Sequence, residues 1–335
     1  MRRVSAPPAS GEERIIARFF SPLAHHPGAF GLTDDAAILS TPPASDVVLT
    51  TDAIIAGVHF FPDDPPDAVA RKALRVNLSD LAAKGAEAAG FLLSLALPAG
   101  VDEDWLGAFA GGLRSDSEHF RCPLLGGDTD RTPGPVTIAI AAFGLLPRGA
   151  FVRRSGAKVG DAVVITGTIG DAALGLRMRR EGDAARRWGL DPAMRDHLER
   201  RYLVPEPRTA LALALRMQAS AAMDVSDGLV GDLEKLCRTS RVAAAIEVAR
   251  VPLSAAASAA AAAEPSLIET VLTGGDDYEI LCTMAPGQVA AFRAAAAAAG
   301  IAATEIGRIA AGEGAQFLDR DGRALTFVDG AYSHF

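Results

Sequence analysis

The sequence contains few of the residues that mark an exported, nucleic-acid-binding or membrane protein. Its 335 residues include three cysteines, Cys122, Cys237 and Cys282, and no C-x-x-C pair, which disfavours both a disulfide framework and a structural zinc site. The 33 basic residues are outnumbered by 41 acidic ones, so there is no basic field to bind a nucleic-acid backbone. The longest apolar runs, such as 136–146, are shorter than the ~20 residues that span a bilayer. We therefore expect a cytoplasmic protein without nucleic-acid or membrane partners, and the opening MRRVSAPPAS, which lacks an apolar core, predicts no export.

Several common catalytic signatures are also missing. No Gly-Lys dipeptide occurs, which excludes the Walker A phosphate loop. The H-R-D and D-F-G motifs of protein kinases, the G-x-S-x-G of serine hydrolases and the H-E-x-x-H of zinc proteases are absent too, so these mechanisms lose support. The turn Gly167–Gly170 before a predicted helix suits an anion-binding turn and a simple strand-to-helix turn equally well.

Length and composition indicate two globular domains. A chain of this length favours two domains over one, and 49% hydrophobic with 22% charged residues is a globular composition. Strand-like and helix-like runs alternate in both halves, and Pro147-Arg148-Gly149 marks a boundary at about residue 148. We predict a mixed α/β (α+β) fold with domains 1–148 and 149–335. The main predicted elements are strands 47–51, 91–97, 136–145, 162–166 and 280–283 and helices 68–81, 105–113, 207–217 and 288–299.

The most informative feature is a set of carboxylates beside Gly, Thr or Ser. Each of them is interpreted as lying at the end of a strand-like run. Ligands gather at strand ends in α/β folds, and Mg²⁺ prefers oxygen ligands while retaining water. One such Asp is usually a turn or helix-cap residue, and excess acid can be solubilising surface. Six occurrences favour a multi-metal site for a nucleotide or phosphate, to which the hydroxyls of Thr50, Thr51 and Ser226 are candidates to contribute. The six points are Asp34–Asp35, Asp52, Asp80, Asp128 with Asp130, Asp224 with Asp227, and Asp276–Asp277.

Eight motifs follow one another along almost the whole chain. They are DDAAIL from Asp34, TTDAIIAGVHF from Thr50, NLSDLAAKGA from Asn77, GGDTDR from Gly126, RSGAKVGD from Arg154, VITGTIGDAALGL from Val164, MDVSDGL from Met223 and GGDDYEI from Gly274. In type and order they resemble the thiamine-monophosphate kinase family of the aminoimidazole-ribonucleotide-synthetase-like superfamily. The resemblance implies an ATP-dependent kinase whose N-terminal α/β domain binds ATP and Mg²⁺ and forms a homodimer through its sheet, followed by a C-terminal α/β domain.

The resemblance also assigns roles to individual residues. Magnesium-binding positions are matched by Asp35, Thr51, Asp52, Asp80, Asp128, Asp224 and Asp227, with Thr50 as a further ligand. ATP contacts are matched by Gly127, Asp128, Arg154 and Ser226, and the expected catalytic residues are Asp52, Asp128 and Arg154. The thiamine-phosphate side is matched by His59, Asp276 and Tyr332. Outside that context, His59 reads as a packed or surface histidine and Tyr332 as a tail residue that packs on the domain.

Three positions depart from the family pattern. Thr33 stands where the family usually has Gly, Asp130 adds a carboxylate, and Asp276 replaces the usual Glu. The first two concern loop shape and local charge, and the third concerns substrate binding. The alternative for Asp276 is that it caps the preceding Gly-Gly turn while Asp277 or Glu279 meets the substrate.

The implied reaction transfers the γ-phosphoryl group of ATP to the phosphate of thiamine monophosphate. The acceptor oxygen is already anionic, so repulsion between two polyanions is the main obstacle, and Mg²⁺ with Arg154 is expected to offset it during direct in-line transfer. One alternative is another ATP-dependent synthetase of the superfamily, although the selenophosphate branch is expected to have a Cys near its N-terminus and the hydrogenase-maturation branch a C-terminal Cys. Another is a catalytically silent nucleotide-binding dimer, against which the retained carboxylates argue.

Overall fold

The computed structural model describes residues 11–327, so Tyr332 lies outside the described residues. These residues divide into two compact units: unit 1 comprises 11–77 and 88–145, and unit 2 comprises 78–87 and 146–327. Among residues 11–327, no helix combines the length and the apolar character that crossing a bilayer requires.

Unit 1 is built on a four-stranded sheet with strand order β1-β4-β2-β3. Its strands are β1 (Ser45–Ile55), β2 (Glu87–Leu97), β3 (Leu124–Arg131) and β4 (Thr137–Pro147). Its helices are α1 (Gly11–Ile15), α2 (Pro66–Ala83), whose last residues belong to unit 2, and α3 (Glu103–His119). Strands β2 and β3 pair in parallel, with Leu93 opposite Gly127 and Ser94 opposite Asp128.

The sheet of unit 1 is covered on one face and open on the other. Alternate residues of β4, such as Ile138 and Ile140, are fully buried, as the period-2 pattern of a half-buried strand requires. On β1 and β2, Leu49 is 67% exposed and Leu92 is 37% exposed. The open face therefore carries apolar side chains.

Unit 2 is built on a six-stranded mixed sheet with strand order β10-β7-β9-β5-β8-β6. Its strands are β5 (Ala162–Thr166), β6 (Ala221–Asp224), β7 (Ala243–Glu247), β8 (Ile280–Met284), β9 (Ala303–Ala310) and β10 (Gly314–Leu318). Its helices are α4 (Asp171–Arg180), α5 (Ala184–Arg187), α6 (Pro192–Leu203), α7 (Ala212–Gln218), α8 (Leu229–Ser240), α9 (Ala255–Ala263), α10 (Leu267–Thr273) and α11 (Val289–Ala298). Strands β10 and β7 are parallel, and the other neighbours are antiparallel. Every residue of β5 and β8 is buried, which places these strands in the centre of the core.

All three cysteines carry free, buried thiols. Cys122 belongs to unit 1, whereas Cys237 and Cys282 belong to unit 2. Burial raises the pKa of Cys122 to about 12 and that of Cys237 to about 11, and it raises the pKa of Cys282 still further. Thiols of this kind are chemically inert in the folded protein because the thiolate is the reactive form.

The structure corrects the prediction that the carboxylates lie at strand ends. Asp52 lies inside β1, Asp128 lies inside β3, and Asp80 lies in helix α2, whereas Asp224 is the last residue of β6. The Gly-Gly pair before Asp128 suggests a strand end in the sequence, yet the ladder continues through it. The prediction is therefore right for Asp224 and wrong for Asp52 and Asp128, whereas Asp80 lies in a helix, in agreement with the predicted helix 68–81.

The predicted helix 207–217 is also corrected. A 3-10 turn occupies Thr209–Leu211, and the α-helix α7 begins only at Ala212. Pro205 and Pro207 precede these elements, and a residue followed by proline is disfavoured in the helical region. The segment 205–208 accordingly has no regular secondary structure, and one of its residues, Arg208, contacts Glu279 of the motif GGDDYEI.

Candidate active site

Unit 1 contains an open cavity of about 1030 Å³. Its lining brings together five sequence-predicted positions, Asp34, Asp35, Thr51, Gly127 and Asp128. Most of the other lining residues are apolar, among them Leu92 and Phe143 from the open face of the sheet. The cavity therefore combines carboxylate and hydroxyl oxygens with apolar surface in a space large enough for a small-molecule ligand.

The loop that carries Asp34 and Asp35 explains the departure at Thr33. The three residues before Thr33 have positive φ angles, 49° at Phe30, 65° at Gly31 and 60° at Leu32. Thr33 itself has φ −107°, a conformation that any residue adopts, and its hydroxyl donates a hydrogen bond to the Phe30 carbonyl. The missing glycine therefore introduces no backbone strain at position 33.

The side chain of Asp52 is exposed on β1, and its backbone N–H is held by the buried side chain of Asn77. Its N–H donates a 3.0 Å hydrogen bond to Oδ1 of Asn77, while Nδ2 of Asn77 donates to the carbonyl of Ala73. Asn77 is completely buried, so a displacement of its side chain would leave buried polar atoms without hydrogen-bond partners. Sequence reasoning missed this supporting role, although Asn77 opens one of the eight motifs.

Gly127 is required by the approach of two strands. A Cβ at this position would lie 1.9 Å from the carbonyl oxygen of Leu93 on the paired strand β2. The glycine keeps the ladder continuous and leaves Asp128 exposed beside the cavity. This arrangement is consistent with a backbone that a ligand can approach closely.

His59 has a local structural partner. Its Nδ1 accepts a 3.0 Å hydrogen bond from the N–H of Ile55, and its carbonyl accepts one from Nζ of Lys72. Both contacts stabilise the turn after β1. The predicted contact of His59 with thiamine phosphate stays a prediction.

In unit 2, Asp80 and Asp224 form a pair of carboxylates that repel each other. Burial and then the charge of Asp80 raise the pKa of Asp224 to about 7, although Lys84 acts in the opposite direction. Nζ of Lys84 donates a 2.7 Å hydrogen bond to the carbonyl of Ala222. Burial, together with the charge of Arg154, lowers the pKa of Lys84 to about 8, against the opposing charges of Asp224 and Asp80.

The loop between β6 and α8 carries Ser226 and Asp227. Both backbone N–H groups donate to Oδ2 of Asp232, at 2.9 and 3.0 Å. Nζ of Lys235 contacts the carboxylate of Asp227 and lies 2.8 Å from Oδ1 of Asp232. Asp232 and Lys235 thus set the loop geometry, a role with no recognisable signal in the sequence beyond their place after MDVSDGL.

The segment Gly274–Glu279, which we call the 274–279 loop, carries the substrate residue predicted by the resemblance. Asp276 is partly exposed, whereas Asp277 and Glu279 are completely buried. Burial of Asp277 and Glu279 argues against the alternative in which one of them meets the substrate, and the contact of Asp276 with the substrate stays a prediction. Asp276 and Tyr278 have φ angles of 71° and 51°, a conformation that Asp tolerates better than most residues but that costs Tyr278 about 1–2 kcal/mol.

Asp277 decides between the two interpretations of the Gly167–Gly170 turn. Its Oδ2 accepts a 2.7 Å hydrogen bond from the N–H of Gly170, the N-cap residue of α4. The cap residue has no side chain of its own, so this carboxylate supplies the capping oxygen. The N-terminus of α4 therefore binds the protein's own anion, which favours the simple strand-to-helix turn.

Magnesium suits the oxygen chemistry of these positions. Within residues 11–327, no three His, Cys, Asp or Glu side chains are grouped closely enough to hold a metal ion by themselves. Mg²⁺, however, is usually held by one or two carboxylates together with substrate phosphates and water. Asp80 and Asp224 are close enough to repel each other, and a divalent cation would relieve that repulsion.

Comparison with known proteins identifies the family. Residues 33–146 match the model described as AIR synthase related protein, N-terminal domain, and residues 158–319 match its C-terminal domain. Thiamine-monophosphate kinase of Caulobacter vibrioides is 43% identical over 323 residues, which cover 95% of this chain and 89% of that protein.

Two solved structures extend the similarity to the fold. Thiamine-monophosphate kinase of Stenotrophomonas maltophilia K279a has a TM-score of 0.80 and 37% identity, covering 93% of this chain and 96% of that one. The structure described as AaThiL complexed with AMPPCP and TMP has a TM-score of 0.76 and 31% identity, covering 92% and 97%. The fold, the motifs and these similarities lead to one conclusion: the chain belongs to the thiamine-monophosphate kinase family.

Proposed function

We propose that this protein transfers the γ-phosphoryl group of ATP to thiamine monophosphate, which yields thiamine diphosphate and ADP. The observation that carries the proposal is the similarity to thiamine-monophosphate kinases over 95% of the chain. It is supported by the cavity of unit 1, whose lining includes the acidic loop Asp34–Asp35 and Asp128. A related structure carries AMPPCP and TMP, and both ligand classes fit the proposed reaction.

The residues of unit 1 and unit 2 supply oxygen ligands for Mg²⁺. In unit 1 these are Asp35, Thr50, Thr51, Asp52 and Asp128, and in unit 2 they are Asp80, Asp224 and Asp227. When bound, Mg²⁺ neutralises phosphate charge and helps to orient the reacting groups. The protein's own contribution is to hold these side chains in place, through Asn77 behind Asp52 and through Asp232 behind Asp227.

Arg154 and the nucleotide contacts complete the proposed machinery. Arg154 is exposed, and its guanidinium is suited to a phosphate because it presents a planar fork of donors. Gly127 permits close approach of backbone to ligand, and Ser226 offers a hydroxyl. The acceptor phosphate is anionic at neutral pH, so no side chain has to remove a proton before attack, and we expect direct transfer without a phosphorylated protein intermediate.

We also propose a homodimer that forms through the open face of the unit 1 sheet. Val47 and Leu49 are 44% and 67% exposed, and as alternate residues of β1 they lie side by side on that face. Contiguous apolar surface of this kind marks an interaction site. The functional division at about residue 148, into an N-terminal ATP, magnesium and dimerisation domain and a C-terminal α/β domain, agrees with family-model matches that end at 146 and resume at 158. The cytoplasm is the proposed compartment, which suits three free thiols.

The decisive experiment measures ADP and thiamine diphosphate together. The purified protein is incubated with Mg²⁺ and ATP and with thiamine monophosphate, thiamine or substrates of the aminoimidazole pathway. We expect ADP and thiamine diphosphate in equal amounts with thiamine monophosphate and neither product with the other acceptors. ADP formation driven by an amide-bearing or aminoimidazole substrate would instead indicate a synthetase of the same superfamily.

A further inference from the structure

The 274–279 loop has a backbone that its own residues do not favour. Asp276 and Tyr278 are both in the left-handed region, and an aromatic residue there is a clear outlier. Such conformations persist only where the surroundings determine them, and they concentrate at functional sites. The contacts that hold this loop are therefore candidates for a role in the reaction.

We propose that Arg208, together with Arg201, is a positioning residue that sets the affinity for thiamine monophosphate by holding the 274–279 loop through Glu279. The proposal rests on the proposed function, since Asp276 of this loop is the expected substrate contact. Neither arginine touches the substrate in this proposal. Both act through the loop.

Glu279 is the fixed point at the end of the loop. It is completely buried, and Nε of Arg208 donates a 2.6 Å hydrogen bond to its Oε2 while Nη2 contacts its Oε1. This is the bidentate geometry that a guanidinium provides and an ammonium does not. The hydroxyl of Thr166 donates a further hydrogen bond of 2.7 Å to the same carboxylate.

Arg201 connects the carboxylate to the loop backbone. Its Nη2 lies 3.0 Å from Oε1 of Glu279 and donates a 2.8 Å hydrogen bond to the carbonyl of Asp277. Asp277 stands between the two residues with positive φ. A single buried guanidinium therefore ties the strained part of the loop to the same carboxylate that Arg208 holds.

The turn after β5 is shaped to receive this carboxylate. A Cβ at Gly167 would lie 2.1 Å from Oε1 of Glu279, and Gly167 has φ +56°. The side chain of Asp277 also bonds the N–H of Gly170 at the start of α4. Two motifs, VITGTIGDAALGL and GGDDYEI, thus meet around Glu279, and Arg208 closes the group from a segment outside every motif.

Stability alone is a poor explanation for this arrangement. Burying two guanidinium groups and a carboxylate carries a desolvation penalty that ion pairing often fails to exceed, and apolar replacements of similar volume are frequently as stable. Buried ionic groups can instead specify one geometry. Here the specified geometry is that of a loop with two residues at positive φ, of which Tyr278 is the unfavourable one.

The side chain of Arg208 makes none of the contacts that hold the nucleotide side. Three backbone hydrogen bonds join the loop to Val225 and Ser226: the N–H groups of Asp276 and Tyr278 donate to the carbonyls of Ser226 and Val225, and the N–H of Val225 donates to the carbonyl of Glu279. The segment around Ser226 is held separately by the side chain of Asp232, which accepts from the N–H groups of Ser226 and Asp227. The contacts of Asp232 do not involve Arg208 or Glu279. A change at Arg208 should therefore act on thiamine monophosphate more than on ATP.

The test compares Arg208→Lys and Arg208→Met by steady-state kinetics in which each substrate is varied separately. We expect KM for thiamine monophosphate to rise about tenfold in Arg208→Met and less in Arg208→Lys, while kcat and KM for ATP stay within about twofold. Arg177→Met is the matched control, because Arg177 pairs with Glu181 and Glu264 in the same unit and has no contact with Glu279 in the described residues. Its KM values should not change.

A second variant keeps the proposal testable if Arg208→Met does not fold. Thr166→Val preserves shape and removes two hydrogen bonds at the end of the loop, the one donated to Glu279 and the one accepted from the N–H of Ile280. It should raise KM for thiamine monophosphate selectively by about threefold. Equal changes in both KM values, or no change in a folded variant, would overturn the proposal. Wild-type protein that neither binds thiamine monophosphate in calorimetry nor phosphorylates it would instead contradict the proposed function, and this inference with it.

Discussion

The ammonium group of Lys235 contacts the carboxylates of both Asp227 and Asp232. Asp227 is a proposed magnesium ligand, and Asp232 holds the backbone that carries it. The fold therefore places a cation of its own beside a carboxylate that is expected to bind a metal. The Lys235 ammonium and Mg²⁺ are expected to compete for the Asp227 carboxylate, because either one can neutralise the negative charge of that carboxylate.

The first prediction concerns this competition. Replacing Lys235 by Met should increase the rise in melting temperature that MgCl₂ produces in the absence of substrates, because Asp227 loses its internal partner. In EDTA the same variant should melt below the wild type, since Asp227 and Asp232 then repel each other. Scanning fluorimetry with and without Mg²⁺ measures both effects. Lys158→Met, which changes an exposed lysine of unit 2, serves as the control, and an identical Mg²⁺ response in all three proteins would refute the prediction.

The second prediction concerns pH. Burial and the neighbouring Asp80 raise the pKa of Asp224 from 3.8 to about 7. The folded protein therefore binds more protons than the unfolded chain between these values, so the free energy of unfolding should fall as pH rises through this range. Asp224→Asn should reduce that fall and be more stable than the wild type above about pH 7, while it loses kinase activity as a change in a proposed metal ligand.

Urea unfolding in EDTA at about pH 5 and about pH 8 tests this sign. The exposed residue Asp196 provides a comparison, since Asp196→Asn should leave the pH dependence as it is in the wild type. If Asp224→Asn kept the full wild-type dependence, Asp224 would not be the group responsible. Metal must be removed, because a bound cation would lower the pKa of the carboxylate.

The third prediction concerns Asp52. Asp52→Asn should fold normally, because the side chain is exposed on β1 and its backbone bond to Asn77 is retained. It should nevertheless lower kcat by about a hundredfold or more, since the amide has the shape of the carboxylate but lacks its charge. Asp46→Asn on the same strand is the matched variant and should be nearly fully active. Turnover of Asp52→Asn close to that of the wild type at saturating Mg²⁺ would remove Asp52 from the metal site.

The fourth prediction concerns Asp276. Asp276→Asn tolerates the left-handed backbone as well as Asp does, so it removes the charge without adding strain. It should raise KM for thiamine monophosphate about tenfold and leave KM for ATP nearly unchanged, because the substrate carries a cationic thiazolium ring. Asp276→Glu, which restores the usual family residue, should be close to the wild type. Kinetics in which Asp276→Asn affects neither substrate would return Asp276 to a purely structural role in its turn.

Local patterns were sufficient to predict part of the fold. Strand β5 was predicted with its observed bounds because its residues form a continuous apolar run between turn residues, and all of them are buried. Asp128 was misplaced because its Gly-Gly pair indicates a turn, whereas the structure uses Gly127 to let β3 pass close to Leu93. That use depends on the paired strand, which the local sequence does not specify.

The candidate site shows the same division. Asp34, Asp35, Thr51 and Asp128 were predicted together from motifs, and they line one cavity. Arg208 was missed because its partner Glu279 lies 71 residues away, and a single Arg and a single Glu at that separation form no recognisable pattern. The burial of Asp277 could not be predicted either, because an acidic residue is expected to be exposed. Only the fold shows that the N–H of Gly170 at the N-terminus of α4 binds its carboxylate.

The three buried thiols allow local unfolding of each unit to be measured by their reaction with a thiol reagent. A thiol reagent can reach Cys122 only when unit 1 opens, and it can reach Cys237 or Cys282 only when unit 2 opens. Peptide mapping of the labelled cysteines therefore gives a separate labelling rate for each unit, without an introduced probe. If ATP or thiamine monophosphate slows labelling in one unit more than in the other, the difference identifies the unit whose opening that ligand suppresses.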